Sequence, residues 1–127
     1  MLRFRILATL SALCALATVA FVVSAATAAP KPAPVKVTKV VVVMRDFTFA
    51  LSRTSVPKGK VIFTVINKGN TDHDFVLATQ NKQTPVIGQG TTAKLTVLFT
   101  KPGKFLYLCS VGEHFLHGMK GYLTVTK

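Results

Sequence analysis

From Lys36 onward the chain alternates apolar and polar residues with a period of two, in runs rich in valine, threonine and phenylalanine that break at short Gly, Pro and Asn clusters. That rhythm excludes most folds. A period of two sends successive side chains to opposite faces of a strand. No long stretch of this part carries the 3.6-residue apolar period of an amphipathic helix. Val35 to Met44 alternates and then merges into a valine run, and Asp46 to Leu51 alternates again. Val56-Pro57-Lys58-Gly59-Lys60 has Pro and Gly at turn spacing, ahead of a strand at Val61 to Ile66. Asn67-Lys68-Gly69-Asn70 reads as a turn and Phe75 to Thr79 as a strand. The polar stretch Asn81 to Gly90 reads as an excursion over the surface. Thr91 to Thr100 alternates through Leu95, Val97 and Phe99, and Lys101-Pro102-Gly103-Lys104 turns the chain. Strands follow at Phe105 to Cys109 and Tyr122 to Thr126. About seven short strands with regular turns predict an all-β fold, a two-sheet antiparallel Greek-key β-sandwich. Met44, Phe47, Phe49, Phe63 and Phe99 are expected in its core.

The first 35 residues differ in kind. Arg3 and Arg5 make a basic start, an apolar run extends from Ile6 to Val23, and Ala26-Thr27-Ala28 has the small-residue pattern of a signal cleavage site. The run is also long enough for a membrane anchor. The expected organisation is a signal peptide at 1–28, an extended Pro-rich tether at 29–35 and one domain at 36–127 in the periplasm or another extracytoplasmic space. Cleavage after Ala28 would leave 99 residues, enough for one small sandwich and too few for two domains.

The chain carries 16 basic and 4 acidic residues. Without Arg3 and Arg5 the balance is 14 against 4, a net charge of about +10. Such a field favours acidic partner proteins and anionic membrane surfaces. The lysines are scattered, among them Lys36, Lys58, Lys68, Lys82, Lys94 and Lys101, and no nucleic-acid motif accompanies them. Nucleic acid is therefore not an expected partner, and a soluble monomer is the expected state.

Of the two cysteines, Cys14 lies in the apolar run, so the exported part would hold Cys109 alone. It cannot close an internal disulfide; a lone thiol in an oxidising space calls for burial, a second chain or a metal. The segment Cys109-Ser110-Val111-Gly112-Glu113-His114-Phe115-Leu116-His117-Gly118-Met119 offers a thiolate, two imidazoles and a thioether between two strands. A thiolate with imidazoles selects copper or zinc over hard cations, and a methionine tilts the choice to copper. Four residues separate Cys109 from His114 and four more separate His114 from Met119, room for two turns back to one ion. Gly118 and Gly121 allow sharp or crowded backbone there. The remaining ligand is expected from elsewhere, with His73 as the candidate, where a turn enters a strand. His117 is expected to be exposed, and Phe115 and Leu116 are candidates for an apolar docking patch. Three other readings stay open on residues alone: an exported copper-handling protein without an electron-transfer role, a copper enzyme, and a structural zinc site. The handling reading lacks a Met-rich tract. A multicopper enzyme needs more ligands than the one histidine left over, so no enzymatic activity is expected.

Tyr107-Leu108-Cys109, His114, Gly118-Met119 and Gly121, together with the upstream His73, resemble the cupredoxins, the small blue-copper proteins that include plastocyanin and azurin. The resemblance implies one copper ion held by His73, Cys109 and His114 as strong equatorial ligands and Met119 as a weak axial one. It also implies a one-electron carrier between redox partner proteins. Two departures stand out. Asp74 follows the upstream histidine where many members have Asn; it is placed to accept a bond from Ser110, and its charge would lower the copper potential. Gly112-Glu113 replaces a common Pro-Gly before the downstream histidine.

Overall fold

Alternation in the sequence becomes alternation in burial. The computed structural model describes residues 36–127; the expected signal segment and tether, 1–28 and 29–35, lie outside the described residues. Among the described residues nine strands follow one another: β1 Val37–Arg45, β2 Thr48–Leu51, β3 Ser55–Pro57, β4 Gly59–Asn67, β5 Val76–Leu77, β6 Lys82–Gln83, β7 Thr92–Phe99, β8 Gly103–Leu108 and β9 Lys120–Thr126. They form a four-stranded sheet in the order β2-β1-β4-β7 and a five-stranded sheet in the order β3-β9-β8-β5-β6. Most neighbours are distant in sequence, as crossing between two layers requires. Among the described residues the single 3₁₀ turn Ala78–Gln80 is the only helical element.

The all-β sandwich is the one the alternation predicts, with one correction. Both sheets are mixed: β1 runs parallel to β4, and β3 runs parallel to β9. A period of two fixes which face of a strand is buried but not the direction of its neighbour, so these two parallel pairings are not legible in the alternation.

The inward residues of β1, β4 and β7 are Val40, Val42 and Met44, then Val61, Phe63 and Val65, then Leu95, Val97 and Phe99. Phe75, Leu77, Tyr107, Leu123 and Val125 face them from the other layer and the loop before it. Aromatic rings run through the middle: Phe63 meets Phe75 at 5.3 Å and Phe99 at 6.5 Å between centroids, and Phe49 meets Tyr107 edge-on at 5.4 Å. Each such buried side chain contributes about 1.5–3 kcal/mol of transfer free energy. Phe47 departs from expectation, being 44% exposed in the β1–β2 turn.

Two local readings also change. Val56-Pro57 is a short edge strand rather than a turn, and an edge tolerates the missing N–H of proline. The strand expected at Phe75 to Thr79 pairs only over Val76–Leu77. Phe75 gives its N–H to Thr84 Oγ1 instead of to a strand, and the chain coils after Leu77 to end with Asn81 in the left-handed region.

Gly121 lies opposite Tyr107 in the β8–β9 ladder. A Cβ there would fall 2.8 Å from Cε2 of Tyr107, with Cζ and the hydroxyl nearer still. The glycine is required because an aromatic ring occupies the space a side chain would need. Gly121→Ala is expected to destabilise the domain by about 1–3 kcal/mol through overpacking, read as a lower urea midpoint at unchanged slope.

Candidate metal centre

Three loops meet at one end of the sandwich: the β1–β2 turn with Asp46 and Phe47, the segment from Asn67 to Phe75 after β4, and the loop from Cys109 to Met119 between β8 and β9. The last of these is tied into itself. Cys109 N–H donates to the Met119 carbonyl (3.1 Å), Met119 N–H to the His114 carbonyl (3.0 Å), and His114 N–H to the Val111 carbonyl (3.2 Å). Leu116 and His117 N–H groups share the Glu113 carbonyl, and Gly118, at φ 92°, closes the turn. The two ends of the loop are thus zipped together, with Cys109 and Met119 both fully buried.

The second segment is strapped from both sides. Buried Asn67 donates through Nδ2 to the carbonyls of Thr71 and Ile87, each at 2.8 Å, and accepts from Gly69 N–H at 2.9 Å. His73 and Ile87 exchange backbone hydrogen bonds of 3.1 and 2.8 Å. The excursion after β6 therefore fixes the backbone of His73. Asp74, also buried, accepts from the Ser110 N–H at 2.6 Å and from its hydroxyl, and so ties this segment to the cysteine loop.

These ties bring three donor atoms together. Cys109 Sγ lies 3.8 Å from His73 Nδ1 and 3.6 Å from His114 Nδ1, and the two nitrogens are 3.1 Å apart. A three-coordinate ion about 2.0 Å from each nitrogen and about 2.3 Å from sulfur needs edges of about 3.7, 3.7 and 3.5 Å. The donor triangle is within a few tenths of an ångström of that, and its softness fits one copper ion. Burial pushes the Cys109 thiol up, opposed in part by backbone hydrogen bonds from Asp74 and Val111. Without a metal this sulfur keeps its proton. Met119 is buried and hydrogen-bonded through its backbone to both Cys109 and His114. His117 is exposed and outside the cluster, its ring 5.3 Å from that of Phe47.

Asp46 is the site residue that sequence reasoning missed. Its Oδ1 lies 3.2 Å from His73 Nε2. It also accepts from the Asn70 N–H (2.9 Å), Asn70 Nδ2 (3.0 Å), the Thr71 N–H (3.2 Å) and the Thr71 hydroxyl (3.1 Å). Desolvation alone would raise its carboxyl; the bonds from His73, Thr71 and the Asn70 and Thr71 amides outweigh it and hold the group at about 2. Phe47 beside it takes φ 63°, a conformation usually signalled by Gly or Asn. The ring of Phe47 then stands edge-on to His114 at 5.2 Å.

A β-sandwich with a buried cysteine sulfur between two imidazoles at one pole defines the class of small blue-copper proteins. The model of the cupredoxin-like domain matches residues 12–125, and the chain belongs to that family. Over 43 residues, 34% of this chain, it is 42% identical to auracyanin-B of Chloroflexus aurantiacus; the matched stretch spans 18% of that protein's length. The dithionite-reduced auracyanin of Roseiflexus castenholzii has a similar fold, with a TM-score of 0.60 at 17% identity, over 71% of this chain and 98% of that one. Auracyanin B matches with a TM-score of 0.58 at 23% identity, over 77% and 94% of the two chains. An azurin of Methylomonas sp. strain J matches at 0.55 and 16%, over 71% and 98%. The family and the donor set together make this a blue-copper protein with a site for a single copper ion.

Proposed function

We propose that the protein is an exported one-electron carrier in which His73, Cys109 and His114 are the equatorial copper ligands and Met119 the weak axial one. The observation that carries this reading is the preformed triangle of one sulfur and two nitrogens in a frame of backbone hydrogen bonds. Bound there, copper supplies a Cu(I)/Cu(II) couple. The protein's own part is to keep the donors in place through the change of charge. The end of β8 and the bond to the Met119 carbonyl hold Cys109, the Ile87 strap holds His73, and the closed loop holds His114. Among the described residues no buried side-chain nitrogen or oxygen lacks a partner, so nothing in the frame gains by rearranging.

His114 is partly exposed and is the proposed electron port. Around it stand the exposed Phe47 and Leu116, the latter 73% accessible, and Phe115, whose face carries the Lys120 ammonium at 4.3 Å. A small apolar contact of this kind suits the weak, short-lived encounters of redox partners. The scattered lysines are proposed to steer an acidic partner toward it. Arg3, Arg5, the apolar run and Ala26-Thr27-Ala28 support export, with 1–28 removed and 29–35 as a tether.

Titration of the purified domain with Cu(II) tests the reading. An intense red absorption saturating at one equivalent, bleached by reductant and restored by oxidant, is expected. A colourless complex, or one that cannot be cycled, would refute it. His117→Ala is expected to keep the colour, its ring being outside the triangle.

A further inference from the structure

The four acidic residues of this basic chain are Asp46, Asp72, Asp74 and Glu113, and all four stand in the loops that build the metal pole. Asp72, Asp74 and Glu113 are neighbours of ligands in sequence. Asp46 comes from 27 residues away, and the fold makes specific room for it. Gly69 lies beside both groups: a Cβ there would sit 2.6 Å from Asp46 Oδ1 and 2.8 Å from His73 Nε2. Any side chain at position 69 would collide with both the carboxylate and the ring nitrogen it meets.

The direction of the hydrogen bond follows from the chemistry. An ionised carboxylate has no hydrogen to give, so Nε2 of His73 carries the proton and donates to Asp46 Oδ1. The same N–H also faces the Thr71 hydroxyl oxygen at 3.3 Å. Nδ1 is then left with its lone pair, and this is the nitrogen beside Cys109 and His114. A carboxylate on the far side of a ligating imidazole fixes its tautomer and raises its donor strength, and outer partners of this kind change metal affinity about 10–100-fold. Stronger donation favours the more highly charged ion.

We propose that Asp46 is the positioning residue of the centre: through the gap at Gly69 its carboxylate locks His73 with Nδ1 facing the metal and lowers the reduction potential. This deepens the copper reading and rests on it. A tenfold loss of Cu(II) over Cu(I) preference corresponds to 59 mV for a one-electron couple.

Asp46→Asn is therefore expected to raise the midpoint potential by about 59 mV for each tenfold of lost preference. Gly69→Ala, which keeps the carboxylate but wedges it from the ring, should raise it in the same direction. Asp72→Asn removes an equal charge from the loop that carries His73, at an exposed residue with no hydrogen bond to that ring, and should shift the potential less than either. In the copper-free protein, 15N chemical shifts of His73 should report a fixed Nε2–H tautomer that Asp46→Ala, which removes the accepting oxygen, releases. An Asp46→Asn potential equal to wild type, or one matched by Asp72→Asn, overturns the proposal, as does an unchanged His73 tautomer. The tautomer readout needs no copper, so it tests the hold of Asp46 on the ring even if the wild-type protein never turns blue, which would count against the copper reading instead.

Discussion

Cys109→Ser is expected to remove the red absorption of the Cu(II)-loaded protein completely while the sandwich still folds. The colour requires a thiolate bonded to copper, and Cys109 is the one thiol among the described residues. An alkoxide or hydroxyl in its place is a hard, weak donor for copper. Geometry alone does not rescue the site, because oxygen makes a shorter bond than sulfur and β8 fixes the Cα. Placing the fully buried Cys109 side chain as serine leaves a hydroxyl at the apex of the triangle, at a cost of about 1–3 kcal/mol if it finds no partner. Both imidazoles face the apex, so much of that cost is offset in the copper-free state. Proton release separates the two proteins as well. Burial raises the thiol, so copper binding to the wild type displaces a proton and tightens as pH rises toward the thiol value. The serine variant has no such proton. Absorption spectra and calorimetry in two buffers of different ionisation enthalpy check both statements. A serine variant that stays blue would place the sulfur elsewhere than at the metal.

The donors on the cysteine loop were legible because they lie within eleven residues of one another, and a connection between adjacent strands must return to where it began. The zipper between Cys109 and Met119 is that return. His73 was legible as a turn residue entering a strand, but its meeting with Cys109 depends on two things a one-dimensional pattern does not carry. One is the Asn67 clamp; the other is the Ile87 strap, which lies in a segment that reads as mere surface excursion.

Asp46 was hidden for a related reason. Asp46 to Leu51 has unbroken alternation, and the pattern extends the strand through what is a two-residue turn. A hairpin of this length normally announces itself with Asn-Gly or Asp-Gly; here the left-handed position is held by Phe47, whose ring packs on His114 and His117. The exception sits at the metal pole, where backbone conformations of low population tend to gather. The same misreading put Phe47 in the core. Gly69 and Gly121 were visible as glycines, but their reason, a carboxylate and an aromatic ring filling the space of a Cβ, is tertiary.

Copper loading is expected to raise the thermal midpoint of the domain by roughly 16–32 °C. A ligand bound only by the native state stabilises it by about 4 kcal/mol when its free concentration is a thousand times the dissociation constant. A domain near 100 residues gains about 4–8 °C per kcal/mol. The premise is that the unfolded chain binds copper far more weakly, and the fold supports it. His73 and Cys109 are 36 positions apart and meet only when both sheets are formed. Closing that span is what the native hydrogen bonds through Asn67, Ile87 and Asp74 have already done. Two variants separate this linkage from general stabilisation. Phe63→Ala removes a fully buried core ring that supplies no donor and should cost about 3–5 kcal/mol, lowering the midpoints of copper-free and copper-loaded protein alike and leaving their difference intact. Cys109→Ser should abolish most of the difference while changing the copper-free midpoint little. Scanning calorimetry of the three proteins with and without copper reads all six midpoints. An equal copper-induced rise in the serine variant would mean that the stabilising ion sits somewhere other than between His73, Cys109 and His114.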